Sequence, residues 1–71
     1  MHITLATRFK PEDEWETTTD TDFDGTFAEY MESRKPNWEH IQKLSLKDYI
    51  QQAVDAGTLK IIEPANWKEM L

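Results

Sequence analysis

Seventy-one residues without a cysteine make one small domain at most, and neither a disulfide framework nor a thiolate metal site can supplement its core. The net charge of −6 argues against binding to nucleic acid or to anionic membranes, and no apolar run is long enough for a membrane span or a signal peptide. We therefore expect one cytoplasmic domain over residues 1–71, with no cofactor.

The N-terminal third of the chain predicts an antiparallel hairpin. "HITLATRF" alternates, with one face running from Ile3 to Phe9 in steps of two, which is typical of a half-buried strand. "KPED" predicts a turn with Pro11 in its second position. Residues 14–24 repeat the period of two, so the odd positions from Trp15 to Phe23 are expected to face the core. The even positions, from Glu14 to Asp24, would then face solvent.

Two helices are predicted next. Apolar residues spaced by three and four predict a helix over residues 26–35, which Pro36 ends. "PNWEHIQKL" predicts a short helix that is capped by Asn37 and buries Trp38, Ile41 and Leu44.

The remaining elements complete the predicted fold. Residues 45–57 form the clearest helix, with Ser45 as its cap and Gly57 as its C-terminal stop. "TLKIIE" predicts a third strand, and Asn66 begins a last turn. The expected fold class is α+β: a small antiparallel sheet, made of the N-terminal hairpin and a C-terminal strand, packed against two to three short helices.

"DTDFDG" follows the spacing of the first half of an EF-hand calcium loop. Asp20, Asp22, Asp24 and Gly25 occupy loop positions 1, 3, 5 and 6. Position 12, which needs a bidentate glutamate, is Met31, and the preceding segment does not have a helical pattern. A calcium-binding module that uses this loop is therefore an alternative function and not the favoured one, and no metal ligand is assigned.

"DFDGTF", residues 22–27, resembles the D-x-D-G-T signature of haloacid-dehalogenase-type phosphatases. In that family the nucleophilic aspartate ends an apolar, buried parallel strand. Here "TTTDT" precedes it, and the later lysine and paired-aspartate motifs have no counterparts. We therefore expect no enzymatic activity and no catalytic residues.

The acidic residues are concentrated in one segment. Nine of the fourteen lie between Glu12 and Glu32, where there is no Lys or Arg, so this segment carries −9 and the rest of the chain +3. From Glu12 to Asp24 the acids fall mostly on even positions, which an extended chain places about 6.6 Å apart on one face. Unit charges at that spacing repel by about 0.6 kcal/mol in water, so such a row does not favour folding. It also exceeds what an edge strand needs to discourage aggregation.

We interpret this segment as a surface that binds a basic protein. The predicted partner-binding residues are Glu12, Glu14, Glu16, Asp20, Asp22, Asp24, Glu29 and Glu32. The hypothesis is a small inhibitor whose carboxylates occupy the nucleic-acid-binding surface of a partner, such as a nuclease complex. Small acidic domains of this kind occur among phage anti-CRISPR and anti-restriction proteins and nuclease immunity proteins. The comparison is with a class of proteins, because no motif here identifies a family.

A third hypothesis is a structural or oligomeric interaction subunit. Its binding surface would be apolar and would lie around Trp38 and Trp67. The sequence leaves open whether the protein is a monomer or a dimer.

Overall fold

An antiparallel sheet of three strands carries the helices on one face. The computed structural model describes all residues from 1 to 71. The strands are β1 (Ile3–Thr7), β2 (Glu16–Asp20) and β3 (Leu59–Glu63), in the order β2-β1-β3. The helices are α1 (Phe27–Arg34), α2 (Glu39–Gln42) and α3 (Leu46–Asp55), and a 3₁₀ turn, Trp67–Met70, follows β3. The predicted α+β class and the composition of the sheet are confirmed.

Strand β1 is the centre of the fold. It pairs on one side with β2 and on the other with β3. Ile3 and Leu5 are fully buried in one cluster with Phe27 and Met31 of α1 and Ile50 of α3. Burying a side chain of this size stabilises a protein by about 1.5–3 kcal/mol, so most of the apolar stabilisation lies on this face of the sheet.

Phe9 does not belong to this core, contrary to the alternation in the sequence. Strand β1 ends at Thr7, and Phe9 is 86% exposed. The chain leaves the predicted strand path after Arg8, whose backbone N–H still donates to the Thr58 carbonyl at 3.1 Å and whose Nε donates to the Gly57 carbonyl at 2.6 Å. The turn predicted at Pro11 is present, with the Asp13 N–H donating to the Lys10 carbonyl at 3.0 Å.

Helix α1 begins with a complete capping box. The Glu29 N–H donates to Thr26 Oγ1 at 3.1 Å, and the Thr26 N–H donates to Glu29 Oε1 at 3.1 Å. These bonds satisfy two of the backbone donors that a helix start leaves free. The pattern T-x-x-E that announces this cap is visible in the sequence, although our prediction for this helix rested on apolar spacing alone.

Helix α3 follows its prediction closely. The Asp48 N–H donates to Ser45 Oγ at 3.2 Å at the start, and Gly57, at φ 78°, follows the C-terminal end. This positive φ is a conformation that glycine adopts without steric cost. None of the helices, of which α3 with ten residues is the longest, has the length and apolar character needed to cross a membrane.

Helix α2 differs from its prediction. Asn37 is not its cap: the helix begins after Trp38, and no side chain bonds to its first backbone N–H groups. Trp38 is 62% exposed instead of buried, and its ring stacks on that of His40 with centroids 5.9 Å apart. A helix of about one turn directs few side chains toward the core, and in α2 only Ile41 is buried.

We predict that Thr26→Ala lowers the free energy of unfolding by about 1 kcal/mol, because the capping box is lost. Urea denaturation followed by circular dichroism measures this change. Thr21→Ala is the matched control, since Thr21 is an exposed threonine outside every helix and strand. Equal stability of the two variants would show that the cap contributes nothing.

Candidate protein-binding surface

Strand β2 lies at one edge of the sheet. Its pairing with β1 is regular, from Ile3 opposite Asp20 to Thr7 opposite Glu16, and no strand pairs with its other side. The strand is shorter than the predicted segment of residues 14–24. All of its residues are exposed except Asp20, which is half-buried.

The predicted row of carboxylates is therefore not one row on one strand. Glu12 and Glu14 lie in the loop that enters β2, and Asp22 and Asp24 lie in the loop that leaves it. The prediction failed because the turn at Pro11 and the loop before α1 interrupt the extended backbone that a regular spacing requires. The acids surround a short edge strand instead of continuing along it.

The two faces of β2 are the reverse of those predicted. Residues directly opposite each other in an antiparallel pair project from the same face of the sheet. Thr18 is opposite Leu5 and Asp20 is opposite Ile3, so the even positions lie on the side that carries the helices. The odd positions, with Thr19 opposite Thr4, lie on the uncovered face. β2 nevertheless stays exposed on both faces, because the core lies beneath β1 and does not extend to this edge.

Trp15 packs on the uncovered face of the sheet and not in the main core. Arg8 Cζ lies 3.9 Å from the centroid of a Trp15 ring, and Lys60 Nζ lies 4.6 Å from it. Ala6, on the same face, is buried. Cation–π contacts of this kind contribute about 0.5–1 kcal/mol each at exposed sites. Our sequence reasoning missed this cluster, because its three members come from three different segments and share no local pattern.

The acids of the segment from Glu12 to Glu32 have no cationic partner. The acidic and basic side chains that lie within 4.0 Å of each other are His2 with Glu63, at 3.3 Å, and Lys43 with Glu39, at 4.0 Å, both outside the segment. Two of the eight predicted binding residues serve the local backbone: Glu29 in the capping box, and Asp20, whose Oδ1 accepts from the Asp22 N–H at 3.2 Å. The other six are exposed: Glu12, Glu14, Glu16, Asp22, Asp24 and Glu32.

The loop that resembles a calcium site is held by aromatic packing. The Phe23 ring meets Tyr30 edge-on at 5.2 Å, and the N-terminal ammonium of Met1 donates to the Phe23 carbonyl at 2.8 Å. A Cβ at Gly25 would lie 2.8 Å from Phe23 Cε2, which explains the glycine without a metal. Nowhere in the chain do three or more His, Asp or Glu side chains form a group arranged to hold a metal ion.

A shallow cavity lies apart from the acids. Its volume is about 170 Å³, and it is lined by Ile41 of α2 and by Tyr49, Gln52, Ala53 and Ala56 along α3. Burial raises the pKa of the Tyr49 hydroxyl, and the positive charge of Arg34 partly opposes this rise. No carboxylate lines this cavity and the acids line no other, so the acidic surface suits a macromolecular partner better than a small molecule.

The chain matches no protein-family model, and searches of characterised proteins and of solved structures likewise gave no match. The candidate surface is therefore defined by the charges, exposure and hydrogen bonds of this chain alone.

We predict that Trp15→Ala lowers the free energy of unfolding by about 2 kcal/mol, roughly half the cost for a fully buried tryptophan. The matched control is Trp38→Ala, at an exposed position, for which we expect a change within about 0.5 kcal/mol. Urea denaturation of both variants measures the difference. A larger loss for Trp38→Ala would contradict the placement of the two rings.

Proposed function

We propose that this protein is a small inhibitor that binds another protein through the acids around β2. The target is a basic surface with which the partner binds nucleic acid, as in a nuclease complex. The proposal includes a cytoplasmic location, which fits the absence of cysteine. An anti-CRISPR, anti-restriction or immunity-type role is the class of activity that this mode of binding would serve.

The observation that supports the proposal most directly is the lack of compensation within the acidic segment. A folded protein that uses acids only for solubility intersperses both signs of charge on its surface. Here −9 is gathered between Glu12 and Glu32, and none of these carboxylates lies within 4.0 Å of a cationic side chain. The repulsion among them is relieved when a basic surface approaches.

A protein surface that binds nucleic acid is arranged to contact closely spaced negative charges. Each strand of duplex DNA presents a phosphate about every 3.4 Å along the axis. The acidic segment offers exposed carboxylates in the two loops that flank β2 and on β2 itself. Opposite charge would speed the encounter, and the bound domain would then exclude nucleic acid by occupying its site.

The test uses a partner captured by the tagged protein from a lysate of its source cells. We predict that the affinity for this partner falls steeply between low and moderate salt, and that duplex nucleic acid competes with the protein for binding. Replacing Asp20, Asp22 and Asp24 together by Asn should weaken binding by about tenfold or more, because exposed charges are lost while the Asp20 acceptor oxygen is kept.

The matched control neutralises the same number of carboxylates outside the segment: Glu39→Gln, Asp55→Asn and Glu69→Gln in one protein. This variant should retain most of the affinity. An affinity that is independent of salt, or equally reduced in both variants, would refute the proposal. Self-association that persists in high salt would instead favour the oligomeric role through Trp38.

A further inference from the structure

We propose that the free edge of β2 pairs with an extended basic segment of the partner, which adds a fourth strand to the sheet. This inference rests on the proposed function, since it specifies how the same partner is held. It is based on the backbone of β2, and the surrounding charge only selects the kind of strand that can pair with it.

The hydrogen bonds of β1 determine which backbone groups of β2 are free. In an antiparallel pair, successive residues point their N–H and C=O groups alternately toward and away from the neighbouring strand. The Arg8 N–H donates to the Thr58 carbonyl on the β3 side, so the odd residues of β1 bond to β2. Met1, also an odd residue, likewise bonds on the β2 side, through its nitrogen and carbonyl to Phe23, one residue out of the register of the strands.

It follows that Thr17 and Thr19 of β2 direct their N–H and C=O groups outward. Their partners in the register are Ala6 and Thr4, which are even residues and bond toward β3. None of the backbone hydrogen bonds outside the helices and strands involves Thr17 or Thr19. Two residues with free groups, about 6.8 Å apart on one edge, match the spacing with which an added antiparallel strand forms its bonds.

The two edges of the sheet are protected in different ways, β3 by features that block any added strand and β2 only by its short length and its negative charges. Proteins block free edges with lysine, proline or a bulge. β3 has all three: Lys60 lies within it, its pairing with β1 is irregular between Thr4 and Leu5, and Pro64 follows it. β2 pairs without a bulge and contains neither proline nor lysine.

Charge decides between the possible occupants of this edge. A second copy of β2 would bring Glu16 and Asp20 against the same residues, and like charges opposite each other destabilise strand pairing. A strand with lysine or arginine side chains would instead face Glu16 and Asp20 on one side, and the flanking Glu14 and Asp22 lie in the adjacent loops. The edge therefore favours a basic extended segment over self-pairing.

The probe is a synthetic acetylated peptide of about eight residues with alternating lysine and threonine, long enough to cover β2. Its matched control is the same sequence with every backbone nitrogen methylated, which keeps the charge and removes the hydrogen-bond donors. Amide hydrogen exchange in the full chain, followed by NMR, is the readout. We expect the unmodified peptide at saturation to slow exchange at Thr17 and Thr19 by about tenfold, and the methylated peptide to leave it unchanged.

A pair of variants tests the same groups without a change in charge. Thr19→Pro removes one outward N–H but none of the bonds to β1, at a position where an edge strand tolerates proline. Thr19→Val keeps the N–H and the side-chain shape. We expect Thr19→Pro to weaken binding of the peptide by about fivefold or more, and Thr19→Val to bind as the parent does. If Thr19→Pro fails to fold, the comparison of the two peptides still decides the question.

The remaining outcomes separate this inference from the proposed function. If both peptides bind in a salt-dependent way and neither protects Thr17 and Thr19, the acidic surface binds bases but strand addition is wrong. If neither peptide has an effect, strand addition is rejected, and the proposed function is decided by the captured partner and its dependence on salt. If these amides become protected on raising the protein concentration alone, the occupant is a second copy and the basic segment is rejected.

Discussion

The whole fold depends on the position of β1 between two antiparallel partners. Its Ile3 and Leu5 provide the sheet's fully buried contribution to the core, and its backbone bonds are satisfied on both sides. With β1 in the centre, β2 must be an edge strand, and the helices α1 and α3 cover β1 without covering β2. Burial is thus concentrated on β1, whereas β2, which carries Glu16 and Asp20, is paired on one side only and stays exposed.

This arrangement explains how a small domain tolerates so uneven a distribution of charge. The acids lie where the dielectric constant is highest, on an exposed edge and its two loops, so their mutual repulsion is weakened by solvent. Stability comes from other side chains, several of them in the same segment: the apolar cluster around Phe27, the capping box of α1, and Trp15 with its two cationic neighbours. Exposed carboxylates that contribute little to folding can be shaped by binding, which is the physical basis of the proposed function.

The fold could be predicted from the sequence wherever one residue or one period determines an element. Alternation identified β1, and Ser45 with Gly57 delimited α3. The faces of β2 could not be predicted, because its threonines suit either side of a sheet and only the register across the loop from Arg8 to Trp15 decides between them. The exposure of Trp38 could not be predicted either, because it depends on the length of α2, which has only four residues. Among the candidate binding residues, the concentration of acids and the capping pattern of Glu29 were visible in the sequence, whereas the local bond of Asp20 required the structure.

The central claim is that the acids around β2, apart from Asp20, make no contact that stabilises the fold. It is tested most directly by the unfolding free energy of a variant in which Glu12, Glu14, Glu16, Asp22 and Asp24 are replaced together by their amides. Asp20 and Glu29 are left in place because their side chains bond to the backbone. Urea denaturation at low salt should show a free energy of unfolding equal to or higher than that of the parent chain, since repulsion is removed and no ion pair is lost. A decrease of more than about 1 kcal/mol would show that these carboxylates stabilise the fold, and would contradict the claim.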